Sequence, residues 1–263
     1  MSTTVATIDT TRPGIPFSRL VNVELRKMFN TRSGRWYTFS IMLLCVVVVA
    51  FCGAFFEPRD FAYGDAIGIV GGVLGFFLPV IPILLVTSEW GQRTGLVTFT
   101  LEPRRPRVVV SKLVAAIMVS LATIIVAAVI ALVAVWFFST VRGFDAQYDI
   151  EFALMRNFVL TNALAVVIGF AFAMLIMNTP AAIVAYFFYA LVLPIAFGAV
   201  SAAVDGFEDI VPWFDFNWAQ GPLFTGDYLP DGKEWAQLAT SGTIWLILPV
   251  VLGTWRLLRS EVK

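Results

Sequence analysis

LVAAIMVSLATIIVAAVIALVAVWFF, residues 113–138, runs without a single Asp, Glu, Lys or Arg. Roughly 17 to 25 apolar residues of helix are needed to cross a bilayer core, and this stretch is long enough. The surface helix of a soluble domain keeps a polar face, which is missing here. Working outward, residues 36–56, 66–87, 158–177, 181–202 and 238–255 are likewise free of charge. The remaining composition agrees: 59% of the 263 residues are hydrophobic, only 36 are formally charged, and the mean hydropathy is +0.85. The chain therefore reads as an all-α membrane protein of six transmembrane helices. Its first span begins well inside the chain and is followed by five more, which makes it an anchor and not a cleaved signal.

The charges orient these spans. Of the eighteen Lys and Arg residues, all but Arg59, Arg142, Arg156 and Lys233 fall before span one, between spans two and three, or after span six. The bias of basic residues toward the cytoplasmic side puts both termini inside, in a multi-pass protein of the cell membrane. Asp205, Glu208, Asp209, Asp215, Asp227, Asp231 and Glu234 gather on the opposite side. Spans four and five are joined only by Asn178-Thr179-Pro180. Asn caps a helix and Pro suits its first turn, which favours a tight hairpin over one long buried helix.

Two cytoplasmic elements have more pattern than a tether requires. Residues 17–29, FSRLVNVELRKMF, set Phe17, Leu20, Val21, Val23, Leu25 and Met28 among Arg19, Glu24, Arg26 and Lys27 at approximate helical spacing. This predicts an interfacial amphipathic helix whose Arg26 and Lys27 meet anionic headgroups. It serves either as a simple stop for span one or as a structured elbow that holds a partner. Residues 88–112, SEWGQRTGLVTFTLEPRRPRVVVSK, open on Glu89-Trp90 and close on a basic, proline-broken segment. They predict a short helix across the cytoplasmic face followed by a stiff turn. The inside rule explains Arg104, Arg105 and Arg107 but not an acid at the helix end.

The order of elbow helix, two spans, Glu-Trp-x-x-x-Thr at 89–94, Pro-Arg-Arg-x-Arg at 103–107, Ser-Lys-Leu at 111–113, four more spans and a closing Trp-Arg-Leu-Leu-Arg-Ser-Glu-Val-Lys resembles the permease subunit of bacterial ABC-2 type ABC transporters. The resemblance covers residues 17–263 and implies a type V exporter-like transmembrane domain. It has an elbow at 17–35, a coupling loop at 88–112 and an external or re-entrant segment at 203–237, preceded by a disordered tail at 1–16. It further implies that Glu89, Trp90, Arg93 and Thr94 dock a separate ATP-binding subunit, while Arg104, Arg105 and Arg107 orient the loop against headgroups. A second permease copy or a paralogue completes the path, which spans two and five build, and ATP and Mg are bound by the partner. The cargo it implies is lipid-like, drug-like or peptide. The rival reading is a non-transporting membrane anchor that recruits a soluble protein.

Other chemistries lack their residues. No G-x-x-x-x-G-K-[ST] loop is present, so ATP hydrolysis is expected of a partner, and neither a cofactor nor nucleic acid is expected for this chain. With no His and two Cys, a His/Cys metalloenzyme is excluded, and Cys45 and Cys52 are assigned to packing. No ionisable residue falls within a span to carry a proton relay or activate a nucleophile. Asp145, Asp149 and Glu151 read as solvated carboxylates sooner than as a divalent-ion site. Gly64, Gly68, Gly71, Gly72 and Gly75 read as a surface for close helix packing, with lining of the path as the lesser alternative. Pro79, Pro82 and Pro194 predict kinks, Pro249 a weaker one. Trp213, Phe214, Phe216 and Trp218 read as an interfacial belt in preference to a lid.

Overall fold

The computed structural model describes residues 14–57, 61–91, 100, 102, 104–225 and 229–259, with backbone alone at 91 and 257–259. The expected tail, apart from residues 14–16, together with Arg93, Thr94 and residues 260–263, lies outside the described residues. Secondary structure among the described residues is helical throughout: α1 (Phe17–Asn30), α2 (Arg32–Phe55), α3 (Tyr63–Phe77), α4 (Val80–Gly91), α5 (Arg105–Arg142), α6 (Phe152–Ile176), α7 (Thr179–Phe187), α8 (Leu193–Ala203), α9 (Phe216–Ala219), α10 (Gly232–Gly242) and α11 (Leu248–Arg259). Helices α3 and α4 form span two, α7 and α8 span five, and α10 and α11 span six. All six apolar stretches are thus helices long enough to cross a bilayer. The protein is an all-α, multi-pass membrane protein.

The spans are built inside out relative to a soluble bundle. In α2, Ile41, Cys45, Val49 and Cys52 recur at helical spacing and pack with Ala127, Ala131 and Val135 of α5, while Phe39, Leu43, Val47 and Phe51 are exposed. Lipid tails are as apolar as leucine, so small inward residues that let backbones approach decide which face is buried. Both cysteines are free and buried, as expected for packing.

Helix α5 is 38 residues long. At 1.5 Å per residue it extends about 57 Å, far beyond a hydrocarbon core of about 30 Å. The basic segment read as a stiff turn is in fact the first turn of this helix, with Pro106 at its start, where a missing N–H costs nothing. Glu102 makes the start tolerable for so many cations. Its carboxylate accepts from the Arg104 N–H at 3.3 Å and from Arg107 Nη1 at 3.0 Å, and Arg107 also reaches the Ile15 carbonyl at 2.9 Å.

The hairpin between spans four and five forms as the sequence predicts. Asn178 Oδ1 accepts from the Ala181 N–H at 3.1 Å, Pro180 sits in the first turn, and Met177 takes the left-handed conformation (φ 56°) that ends α6.

Span two breaks at Leu78-Pro79. Pro79 has no N–H, which frees the Gly75 carbonyl, and Tyr186 of span five donates its hydroxyl to it at 2.8 Å. The Ile81 N–H turns to Leu78, which frees the Phe77 carbonyl, and Tyr37 of span one donates to that at 2.7 Å. Side chains from two neighbouring spans therefore satisfy a break that lipid could not. Pro82 breaks nothing, because it falls in the first turn of α4, where N–H partners are absent anyway. Span four comes so close that a Cβ at Gly169 would lie 2.1 Å from the Pro79 carbonyl oxygen.

Spans five and six each contain one wider π turn, Phe188–Val192 and Thr243–Ile247, and in each a proline follows two residues later, Pro194 and Pro249. The Leu193 and Leu248 N–H groups bond five residues back, so the extra residue absorbs the clash that a proline makes with the preceding turn. The two wide turns face one another, with Tyr189 and Trp245 ring centroids 4.5 Å apart.

Candidate functional site

Where α1 meets the end of span two and the start of span three, four charges close into a ring. Lys112 Nζ lies 2.6 Å from Glu24 Oε2 and 2.9 Å from Glu89 Oε1, and Lys27 Nζ lies 2.7 Å from Glu24 Oε1 and 2.5 Å from Glu89 Oε1. Glu24 is 3% exposed, Lys112 4% and Glu89 6%. Three elements supply the ring: the elbow helix, the end of span two and the start of span three. Burial opposes the charge on Lys27, but Glu89 and Glu24 outweigh it and hold the ammonium above its ordinary range. One turn away Thr87 bonds the Ile83 carbonyl and meets Thr179 Oγ1, each at 2.7 Å, which ties the end of span two to the start of span five.

This arrangement redistributes the residues that the sequence singles out. Glu89, expected on a docking surface, faces inward with its carboxylate held by two lysines. Trp90 is half-buried and packs against the inner core. Arg93 and Thr94 lie outside the described residues. Among the cations expected at headgroups, Arg26 and Arg104 are exposed and Arg105 is half-buried. Lys27 and Arg107 are instead engaged by Glu24, Glu89 and Glu102. Glu24 and Lys112 were not singled out. Glu24 falls on the same face as Val21 and Met28, all three buried, and that position is its signal: an acid on the packed stripe of an amphipathic helix needs a cation opposite.

The segment between spans five and six turns back onto the bundle through short helical turns at Phe207–Asp209, Val211–Trp213, α9 and Gly221–Leu223. Val211, Phe216 and Leu223 are buried; Asn157 of span four donates to the Leu223 carbonyl at 2.7 Å and Trp245 to the Phe214 carbonyl at 2.6 Å. The segment is thus a cap seated on spans four and six, more than a surface belt.

Beneath the cap lies a cavity of about 500 Å³. One wall is the glycine stripe Gly68, Gly71, Gly72 and Gly75; the others are Phe158, Asn162 and Ile168 of span four, Tyr186, Tyr189 and Pro194 of span five, and Asn217 and Gln220 of the cap. A Cβ at Gly68, Gly72 or Gly75 would meet nothing within 4 Å, so these glycines open a space and do not seat a helix; at Gly71 a Cβ would stand 3.0 Å from Phe158. The packing expected of the stripe holds at Gly71 and, more loosely, at Gly64, where a Cβ would stand 3.9 Å from Leu154. Two polar atoms here lack partners: Asn162 Oδ1, whose own Nδ2 donates to the Phe158 carbonyl at 2.9 Å, and Tyr189 Oη, which reaches toward Asn217 without closing a hydrogen bond.

Asp215 of the cap is 1% exposed, caps α9 through the Trp218 N–H at 3.0 Å and leaves Oδ2 unpaired. Burial pushes its carboxyl above the ordinary range, and the amides of Trp218 and Asn217 only partly offset this. A carboxyl whose folded pKa exceeds its unfolded value destabilises the fold above the folded pKa. That penalty shrinks as pH falls through the folded pKa toward the unfolded one. Asp215→Asn keeps a capping oxygen and removes the charge. It is expected to raise stability at pH 7 by about 1 kcal/mol and to flatten the acid limb of a plot of Tm against pH in detergent. A variant less stable than wild type at pH 7, with an unchanged acid limb, contradicts this.

No protein-family model matches the chain, and no curated protein matches it.

Proposed function

We propose that this chain is the membrane-spanning permease subunit of an ATP-driven transporter of the ABC-2 type, oriented with both termini in the cytoplasm. ATP and Mg are bound by a separate subunit that docks on residues 88–112. The observation that carries this reading is the buried ring Glu24–Lys27–Glu89–Lys112. The connection that resembles a coupling loop is rooted where elbow, span two and span three are ionically joined. Only the nine residues 80–88 of α4 separate Glu89 from the Leu78-Pro79 break and the cavity beyond it. A push on the loop is therefore delivered to the cavity wall. In this reading Glu89 holds the root of the loop, and Trp90, Arg93 and Thr94 meet the ATPase. Span five supports assembly with a second copy, since only 11% of its most apolar window is buried within this chain.

The test is co-purification in nanodiscs with the ATP-binding protein encoded beside it. Wild type should retain ATPase, Arg93→Glu should lose most of it at an unchanged yield of folded permease, and Glu89→Gln should lower both. A folded wild type that retains no ATPase from its own genome overturns the reading in favour of the anchoring subunit.

A further inference from the structure

We propose that the cavity beneath the cap is a binding site for an uncharged amphiphile whose head carries a hydroxyl group. The inference deepens the transporter reading by naming its cargo class, and it rests on that reading only for the purpose of the site.

The argument is one of unsatisfied chemistry. Asn162 is 4% and Tyr189 2% exposed, yet each keeps an unpartnered oxygen at the wall of a largely apolar cavity whose other polar side chains are Thr161, Tyr186, Asn217 and Gln220. A buried polar atom without a partner is costly, and a site with a few such atoms on apolar walls is the usual form of a small-molecule pocket. Asn162 Oδ1 can only accept. Tyr189 Oη carries a proton to give. Hydroxyl groups on a ligand serve each, donating to the first and accepting from the second, whereas an ammonium could not accept and an ether could not donate. An anionic head is disfavoured because no Lys or Arg lines the space and the buried Asp215 carboxyl of the cap acts on Tyr189, so an anion would be desolvated without a counter-charge. The glycine stripe supplies the room for an apolar tail. Leu154 and Ile67 at one end and Ile168 at the other make the space elongated along spans two and four.

The test uses the chain alone in phosphatidylcholine nanodiscs. The probes are a monoacylglycerol with a diazirine in its acyl chain, the same molecule with both hydroxyls methylated, and the matching free fatty acid. Cross-links are mapped by mass spectrometry, and those to the exposed Phe39, Leu43 and Val47 of α2 report ordinary contact with the bilayer. The monoacylglycerol should label peptides covering residues 67–76 and 154–168. The methylated probe and the fatty acid should label them about tenfold less, with labelling of α2 equal for all three. Asn162→Leu should reduce the cavity labelling, and Gly72→Leu, whose Cβ would meet nothing within 4 Å, should abolish it. Equal cavity labelling by the methylated probe overturns the assigned head chemistry. Labelling confined to α2 overturns the site. A chain that takes up the monoacylglycerol but retains no ATPase keeps the site and loses the transporter; one that retains ATPase with an unlabelled cavity loses this proposal alone.

Discussion

Replacing Lys112 by methionine is expected to cost about 3–5 kcal/mol of stability, the range for breaking a buried ion pair by removing one partner. Lys112 is the inner cation of the ring and touches both Glu24 and Glu89, which are buried. Its loss takes an ammonium away from each of two buried carboxylates. Lys27→Met should cost markedly less, because the Lys27 side chain is about one-third exposed and solvent already shares its charge. The two losses should not add to that of Glu24→Gln, since all three act through one carboxylate pair; a double-mutant cycle of Lys112→Met with Glu24→Gln measured by thermal unfolding in detergent should show a coupling above 1 kcal/mol. Because Lys27 titrates above its ordinary range, its contribution is complete at neutral pH and is lost only as pH rises through that raised value. Additive losses, or a Lys112→Met variant as stable as wild type, would remove the ring from any account of the fold.

The second large effect is expected at Gly169. A Cβ there would stand 2.1 Å from the Pro79 oxygen and 2.8 Å from its carbonyl carbon, and both are backbone atoms that cannot swing aside. Gly169→Val must push span four away from the break in span two, at a cost of about 3 kcal/mol or more. Gly72→Ala is the matched control. It faces open space, and the gain in helix propensity should leave it equal to or up to about 1 kcal/mol more stable than wild type. Yields of folded protein and melting temperatures of the two variants, measured side by side, decide it. Equal behaviour of the pair would mean that the spans do not approach as described.

How much of this could be read from the residues depends on what each signal measures. Freedom from charge marks lipid, so all six spans are visible from 36–56 to 238–255. The same signal misplaces helix ends. Arg105, Arg107 and Lys112 end the lipid-embedded part of span three but not its helix, which begins at Arg105. The Asn178 turn is legible because capping is local. The ring is not, because its four members come from three segments: the place of Glu24 on the stripe of Val21 and Met28 asks for a cation without saying which. The glycine stripe is visible as a stripe, but whether small residues admit a helix or leave a hole is decided by Asn162 and Phe158, some ninety positions away. Pro194 and Pro249 announce a bend; that the bends are wide turns facing each other across Tyr189 and Trp245 is a property of the pair. The functional residues expected at 93–94 fall outside the described chain, and the docking partner is a proposal that rests on the resemblance and the ring.

The ring also imposes an order on synthesis at the ribosome. Glu24 is translated early, yet its inner partner is Lys112, eighty-eight residues later. At about 5–20 residues per second Glu24 waits roughly 4–18 s for that cation to exist. Until then the elbow can rest only at the wet surface, with span one threaded and nothing to lock against. The emergence of the third span is thus the moment at which the amino-terminal part of the chain commits to its place, and a nascent chain stalled short of residue 112 would leave the elbow open to proteases that the finished protein excludes.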